Sequence, residues 1–269
     1  MLKSFKRIIK ENIRYFDGAR GLARVERKKA SRTSDLGWFW EVFKPVFYML
    51  MFYGAITIGF KSAKDIDDIL CPYFVWLISG MIPWFYMRDR ILGGANSFRK
   101  NKLLVTRFQF PVSVIPAIGC YSGIFLHIMI LAIGFIICFV FGVFPSIYWL
   151  QIPFYFLMML IVSYIWSLGA GLLASVSGDF LNLLKSINPA FFWLSGILFN
   201  SRPLTNLEMF FKLNPISYVV EGYRNSIAYH IWFWEDLRSF GYFALVTLVM
   251  LVIALGLYKR LGRKLPDFL

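Results

Sequence analysis

The residues of this chain that carry reactive groups are few, and their spacing argues against catalysis. Asp65, Asp67 and Asp68 share one short segment and offer the oxygen donors that a divalent cation takes. A solvated acidic turn explains the same spacing and is the simpler reading. His127 and His230 have no neighbours at metal-ligand spacing, and a lone histidine in an apolar run is more often a hydrogen-bonded packing residue than a proton relay. Cys120 and Cys138 fall in one predicted helix, where 18 positions place them about 27 Å apart, too far to bridge. Neither a disulfide nor a metal site is expected. Paired carboxylates within one apolar block, an H-E-x-x-H motif and a serine elbow are all missing from the sequence, which leaves no basis for an enzyme. No G-x-x-x-x-G-K-[ST] occurs, so any ATP used would be hydrolysed by another polypeptide.

Composition explains the shortage. The chain is 58% hydrophobic and 16% charged, against about a quarter charged in soluble domains. Its apolar residues are gathered into blocks of the length that a membrane-crossing helix needs, about 20 residues for about 30 Å of hydrocarbon. The net charge of +14 would suggest nucleic acid in a soluble protein. Here the cations sit in short segments beside apolar blocks, the pattern of cytoplasmic loops near anionic lipid, and no nucleic-acid partner is expected.

The elements follow from the pattern. Over residues 1–18, Leu2, Phe5, Ile9, Ile13 and Phe16 recur at helical spacing opposite Lys3, Lys6, Arg7, Lys10 and Arg14, which predicts an amphipathic helix lying in the membrane surface. Residues 19–41 are basic and then aromatic. Six spans are predicted over 42–60, 71–87, 112–144, 147–176, about 180–199 and 240–258, with a short polar loop at 177–185 and a basic tail at 259–269. No cleavable signal peptide is expected, because the first apolar block begins near residue 42 and follows many charges. The chain therefore divides into an N-terminal cytoplasmic interface helix and linker (1–41), one transmembrane domain (42–258) and a tail (259–269). The fold class is all-α.

Residues 203–235 mix apolar residues with Glu208, Lys212, Glu221 and Arg224. A continuous span there would bury several charges at roughly 2.5–3.5 kcal/mol each. Asn214-Pro215 instead suits the start of a helix, with Asn as cap and Pro in the first turn. Two short helices, about 204–213 and 215–230, are predicted to dip partway into the outer leaflet, as re-entrant backbone can when protein or water covers it. With six spans and both termini inside, only Lys61, Lys64, Arg202, Lys212, Arg224 and Arg238 of the 29 basic residues lie outside. A seventh span would put the basic tail outside, against the positive-inside rule.

From Phe108 to Gly178 there is no Asp, Glu, Lys or Arg. Ion-driven transporters need ionisable groups within the membrane, so an ion-coupled mechanism is poorly supported.

Four stretches together resemble the permease subunits of ABC-2 type exporters: Asp35 to Pro45; Ile82-Pro-Trp-Phe85 with Gly94 to Leu104 and Phe110-Pro111; Gly169-Ala-Gly171; and Leu213 to Arg224. Within that group the chain is similar to permeases for wall teichoic acid, O-antigen and capsule, and the run from Asp65 to Tyr86 looks most like the teichoic acid branch. The resemblance implies a plasma-membrane homodimer above two copies of an ATPase subunit, moving a lipid-linked glycopolymer outward. No cofactor is implied on this chain, and ATP and Mg belong to the partner. Wall teichoic acid is the cargo expected; a permease for O-antigen or capsule polysaccharide, or for a drug or small lipid, is the alternative, and a non-transporting scaffold the more remote one.

The resemblance also implies a coupling helix in the loop between helices two and three. Asn96 or Ser97 can cap it, Arg99, Lys100 and Lys102 give it a polar face, and Phe98, Leu103 and Leu104 offer apolar knobs. Lipid headgroup binding by a basic loop is the plainer alternative. Asp179 and Asn182 would make a second, smaller contact. On the outer side, Asn214, Pro215, Tyr218, Glu221 and Arg224 are candidates for a gate, with Glu221 and Arg224 at ion-pair spacing; a purely structural pair fits equally. Trp84, Phe85 and Tyr86, like Trp38, Trp40, Trp232 and Trp234, are expected near the interfaces, as headgroup anchors or as stacking surfaces for sugar.

Overall fold

The computed structural model describes residues 1–31, 37–59, 71–108, 110–198 and 208–269. The acidic turn at Asp65, Asp67 and Asp68, the start of the first resemblance stretch at Asp35, Arg202 and the beginning of the helix predicted at 204–213 lie outside the described residues.

Every regular element among the described residues is helical. The amphipathic segment forms two helices, α1 (Leu2–Arg14) and α2 (Phe16–Ser31), broken at Tyr15. Helix therefore extends well past residue 18. In α1 the predicted stripe faces away from the protein: Leu2 is 71% exposed and Ile13 72%, and Ile8 from another face packs inward.

The long helices are α3 (Gly37–Gly59), α4 (Tyr73–Ala95), α7 (Ile115–Val140), α8 (Ile152–Val176) and α12 (Leu237–Leu261). Between α4 and α7 stand two single-turn helices, α5 (Ser97–Lys100) and α6 (Lys102–Thr106). Short 3-10 turns at Val112–Val114 and Ile147–Gln151 lead into α7 and α8. Each of these two helices has a proline in its first turn, Pro116 and Pro153, where the missing N–H costs nothing.

By length and apolarity, three helical stretches among the described residues can cross a membrane: Val112–Val140, Ile147–Val176 and Leu237–Leu261. α4 is different in kind. It is sheathed by α7, α8 and the helices Gly178–Leu194 and Pro215–Arg224, and every residue from Phe74 to Met87 is buried. A helix buried on all sides owes its stability to protein neighbours rather than to lipid.

The polar loop predicted at 177–185 is absent. α9 (Gly178–Leu194) follows α8 with only Ser177 between them. Asp179 stands in its first turn, where a carboxylate meets the positive end of the helix dipole and supports helix rather than loop.

The ambiguous region gives α10 (Glu208–Lys212) and α11 (Pro215–Arg224). Asn214 caps α11: its side-chain oxygen accepts from the Ile216 N–H at 3.0 Å. A π-helical turn, Asn225–Tyr229, follows and ends in the left-handed backbone of His230 at φ 54°. α13 (Leu265–Phe268) closes the chain against α6 and α8.

Candidate functional site

Two groups of predicted residues fall at opposite ends of the bundle. At one end, Gly94 of α4 abuts Ser167 of α8, Gly171 abuts Phe98, and Gly178 lies near Arg99. α5 therefore lies along the last turns of α8 and reaches the start of α9. The Arg99 guanidinium is 3.7 Å from where a Cβ on Gly178 would stand. Arg99, Lys100, Lys102 and Leu103 are exposed, as are Asp179 and Asn182 of α9. The two predicted contact regions thus share one surface. Lys100 forms an ion pair with Glu26 of α2.

Two expectations for this surface are corrected. Asn96 occupies the cap position of α5, but its side chain makes no capping bond, and the Ser97 hydroxyl is buried without a partner. Phe98 is not an outward knob. It is fully buried, packed against Gly171 and the core formed with Val105, Ile115 and Leu172. The exposed apolar residue of this segment is Leu103, at 57%.

A polar strap that sequence reading missed holds α1 beside this end. Glu11 accepts from Arg7 at 2.6 Å, from the Ser113 hydroxyl at 2.5 Å and from the Tyr258 hydroxyl at 3.2 Å. The Asn12 amide donates to the Tyr164 hydroxyl at 3.0 Å, which itself donates to the Ser113 carbonyl at 2.8 Å. Donating to the Glu11 carboxylate raises the Arg7 pKa above its ordinary value. Three uncharged partners, far apart in sequence, gave no local signal for this joint.

At the other end, α11 runs antiparallel to α8. Its start, from Asn214 to Ile216, faces Val162, Ser163 and Trp166 near the middle of α8, with Met250 of α12 beside them. Further along, Gly222 meets the Tyr155 ring so closely that a Cβ would collide with it. Past α11, the Gln151 amide donates to the Ile231 carbonyl at 2.7 Å and its oxygen accepts from the Phe233 N–H at 2.9 Å. The side chain of Asn214 also donates to the Leu194 carbonyl and the Ser195 hydroxyl, tying the α10–α11 corner to the end of α9.

Glu221 and Arg224 do pair, at 2.7 Å. Arg224 is fully buried and is therefore no open gate residue in this chain. It donates to the carbonyls of Gly196 and Ile197, at 2.8 and 2.5 Å, just beyond α9, and its guanidinium lies over the Trp76 ring. Tyr218 is half-buried and stacks on Phe243 with ring centres 4.4 Å apart.

The aromatic trio is also corrected. Trp84, Phe85 and Tyr86 are each 3–4% exposed. Trp84 packs on Phe192 of α9, and the Tyr86 hydroxyl donates to the Cys120 carbonyl. They are core residues of the single chain, neither headgroup anchors nor open stacking surfaces. Hydropathy could not tell these cases apart, because an aromatic-rich stretch has the same composition at an interface and in a core. His127 is buried and bonded to the Tyr223 hydroxyl at 2.8 Å, as a packing histidine would be.

The chain is 21% identical to the O-antigen export system permease protein RfbA of Klebsiella pneumoniae over 97% of its own length and 98% of the relative's. It is 21% identical to the protein of the same name in Myxococcus xanthus, over 81% of this chain and 83% of the relative. It is 24% identical to the polysialic acid transport protein KpsM of Escherichia coli, over 83% and 85%. The pattern describing ABC-2 type transporters matches residues 20–228, more than half of the chain. The chain therefore belongs to the ABC-2 type transporter family, and its apolar helices place it in a membrane.

Proposed function

We propose that this chain is the permease subunit of an ATP-driven exporter that moves a lipid-linked glycopolymer outward across the plasma membrane. The observation that carries this reading is the exposed basic surface of α5 and α6, joined to the start of α9 at the end of the bundle rich in cations. Such a surface suits a separate ATPase. The energy must come from outside the chain, since α7 and α8 hold no charged residue for an ion relay. Relatives that share nearly the whole length are named for O-antigen export and polysialic acid transport, and a polysaccharide of that class is the favoured cargo. A second reading, wall teichoic acid, rests on the run ending at Tyr86.

Six spans, α3, α4, α7, α8, α9 and α12, with both termini cytoplasmic, fit the charge distribution. α11 has 10 residues, about 15 Å of helix, close to half of a hydrocarbon layer of about 30 Å. Its start beside the middle of α8 and its Gly222 against Tyr155, in the first turn of α8, support a re-entrant hairpin. The apolar stripe of α1, turned outward, supports contact with lipid. A homodimer would cover the uncovered aromatic ladder Phe39, Phe43 and Phe47 on α3. Binding of ATP by two partner subunits would then shift the permease pair between inward and outward openings.

Reconstitution with the ATPase and a panel of undecaprenyl-linked glycans tests the reading. Hydrolysis stimulated by a glycan is the expected result. The double charge reversal Arg99→Glu/Lys100→Glu should abolish that stimulation without reducing membrane insertion. Unchanged stimulated hydrolysis would refute the coupling surface.

A further inference from the structure

A cavity of about 150 Å³ lies beside the middle of α8, where the start of α11 meets α4 and α12. We infer that it binds a small carboxylate whose apolar body, a ring or a short chain, fills the space.

Size and lining set the body of the ligand. Ordinary small-molecule sites run to about 300–1,000 Å³, so a glycan does not fit here. A dry apolar cavity of roughly 150 Å³ accepts benzene. Met87 and Met250 bring thioethers to the walls, and Trp166 and Phe191 bring rings. Soft sulfur and aromatic surfaces favour an apolar body, a ring above all.

Two donors set its head. Gly94 abuts Ser167, and the Trp166 indole N–H donates to the Ile91 carbonyl at 3.2 Å, so α4 and α8 run side by side in the same direction. One turn earlier on each helix, Arg90 and Ser163 therefore stand level, and both line the cavity. Ser163 is 2% exposed, and its hydroxyl has no hydrogen-bond partner. The Nε of Arg90 is likewise buried and without a partner.

The Arg90 guanidinium is seated in a niche that α7 leaves open. A Cβ on Gly119 would stand 2.7 Å from its Nη1, and one on Gly123 would stand 3.8 Å from its central carbon. The Tyr86 ring lies 5.8 Å away. Among the described residues no carboxylate lines the cavity, and the neighbouring Asp89 pairs with Arg88 at 3.4 Å. A guanidinium N–H level with a hydroxyl, in an apolar site, calls for an anionic acceptor. A carboxylate supplies two oxygens and one charge. A phosphate monoester would bring a second charge, for which the lining holds no second cation. Asn214 to Ile216 form one wall, so an occupant would brace the start of α11 against α4 and α8.

The test uses the full chain, labelled with fluorotryptophan, in phosphatidylcholine nanodiscs. Fluorine NMR follows the Trp166 signal, assigned by its loss in Trp166→Phe. The probes are benzoate, hexanoate and benzamide, the last an uncharged isostere of benzoate. Benzoate should shift the Trp166 signal saturably and bind about tenfold more tightly than benzamide. Partitioning into lipid gives the opposite order, because the uncharged amide enters hydrocarbon more readily. A shift with benzoate alone assigns a ring as the body, and a shift with hexanoate alone assigns a chain; either supports the site. Arg90→Gln should remove the preference for benzoate while benzamide still binds, which shows that the cavity survives. Should that variant fold poorly, the smaller change Ser163→Ala should weaken benzoate about fivefold. No shift with either acid, or benzamide binding as tightly as benzoate, overturns the assignment. Such binding needs neither cargo nor ATPase, so its failure would leave the exporter reading standing.

Discussion

The guanidinium of Arg224 lies 3.6 Å from the centre of the Trp76 ring. That contact joins α11 to the central helix α4, and the same side chain reaches the carbonyls of Gly196 and Ile197 beyond α9. Gly80 makes room for it: a Cβ there would stand 2.8 Å from a guanidinium nitrogen. One buried cation therefore fixes the α11 hairpin against two other helices.

Removing that cation should be costly. Arg224→Ala removes one partner of Glu221 and the donor to two buried carbonyls, and loss of one partner of a buried pair costs about 3–5 kcal/mol. Arg224→Lys should recover little, because an ammonium cannot serve two carbonyls and an aromatic face at once. Gly80→Ala should lower stability by a smaller amount, through displacement of the same guanidinium. Thermal unfolding of the purified protein in detergent measures all three; equal stability of Arg224→Ala and the unaltered chain would contradict the latch.

Phe98 should govern where the α5 surface sits. Phe98→Ala leaves a void in a filled core and should destabilise by about 3–5 kcal/mol. Gly171→Ala brings a Cβ within 2.9 Å of the Phe98 ring, so α5 must shift without any change in exposed charge. Stimulated ATP hydrolysis should fall in Gly171→Ala while membrane insertion stays constant, and full stimulation would show that the position of α5 is unimportant.

The Glu11 strap should decide whether α1 stays attached. Glu11→Ala leaves Arg7, Ser113 and Tyr258 without their common acceptor, a loss of about 2 kcal/mol for the charged bonds. Faster amide exchange over residues 2–14, with exchange in α8 unaltered, is the expected outcome. Glu11→Gln should give an intermediate rate, since one acceptor oxygen remains.

The turn at His230 should loosen in acid. Partial burial lowers the His230 pKa below its usual 6.5, and its ring stacks on Tyr148 with centres 5.1 Å apart. The folded form thus prefers neutral imidazole. Its contribution is intact above about pH 6.5, where the unfolded chain is also neutral. It declines as pH falls toward the lower folded value, because only the unfolded chain gains the proton. Amide exchange over residues 225–236 should rise between pH 7.5 and pH 5. His230→Asn, which also tolerates left-handed backbone, should remove that dependence.

What could be known from the sequence was local. Long charge-free blocks announced α7, α8 and α12, and Asn214-Pro215 announced the start of α11, because apolarity, proline geometry and side-chain capping act within a few residues of the chain. The lack of a nucleotide-binding loop and the placement of cations were legible for the same reason. Tertiary structure decided which side each residue faces. Trp84 to Tyr86 and Phe98 became core, Arg224 became a buried joint, and Glu11 found Ser113 and Tyr258 across more than a hundred positions. Hydropathy sums over a helix, whereas burial depends on which other helix arrives at each face, and that is fixed only when all of them pack together.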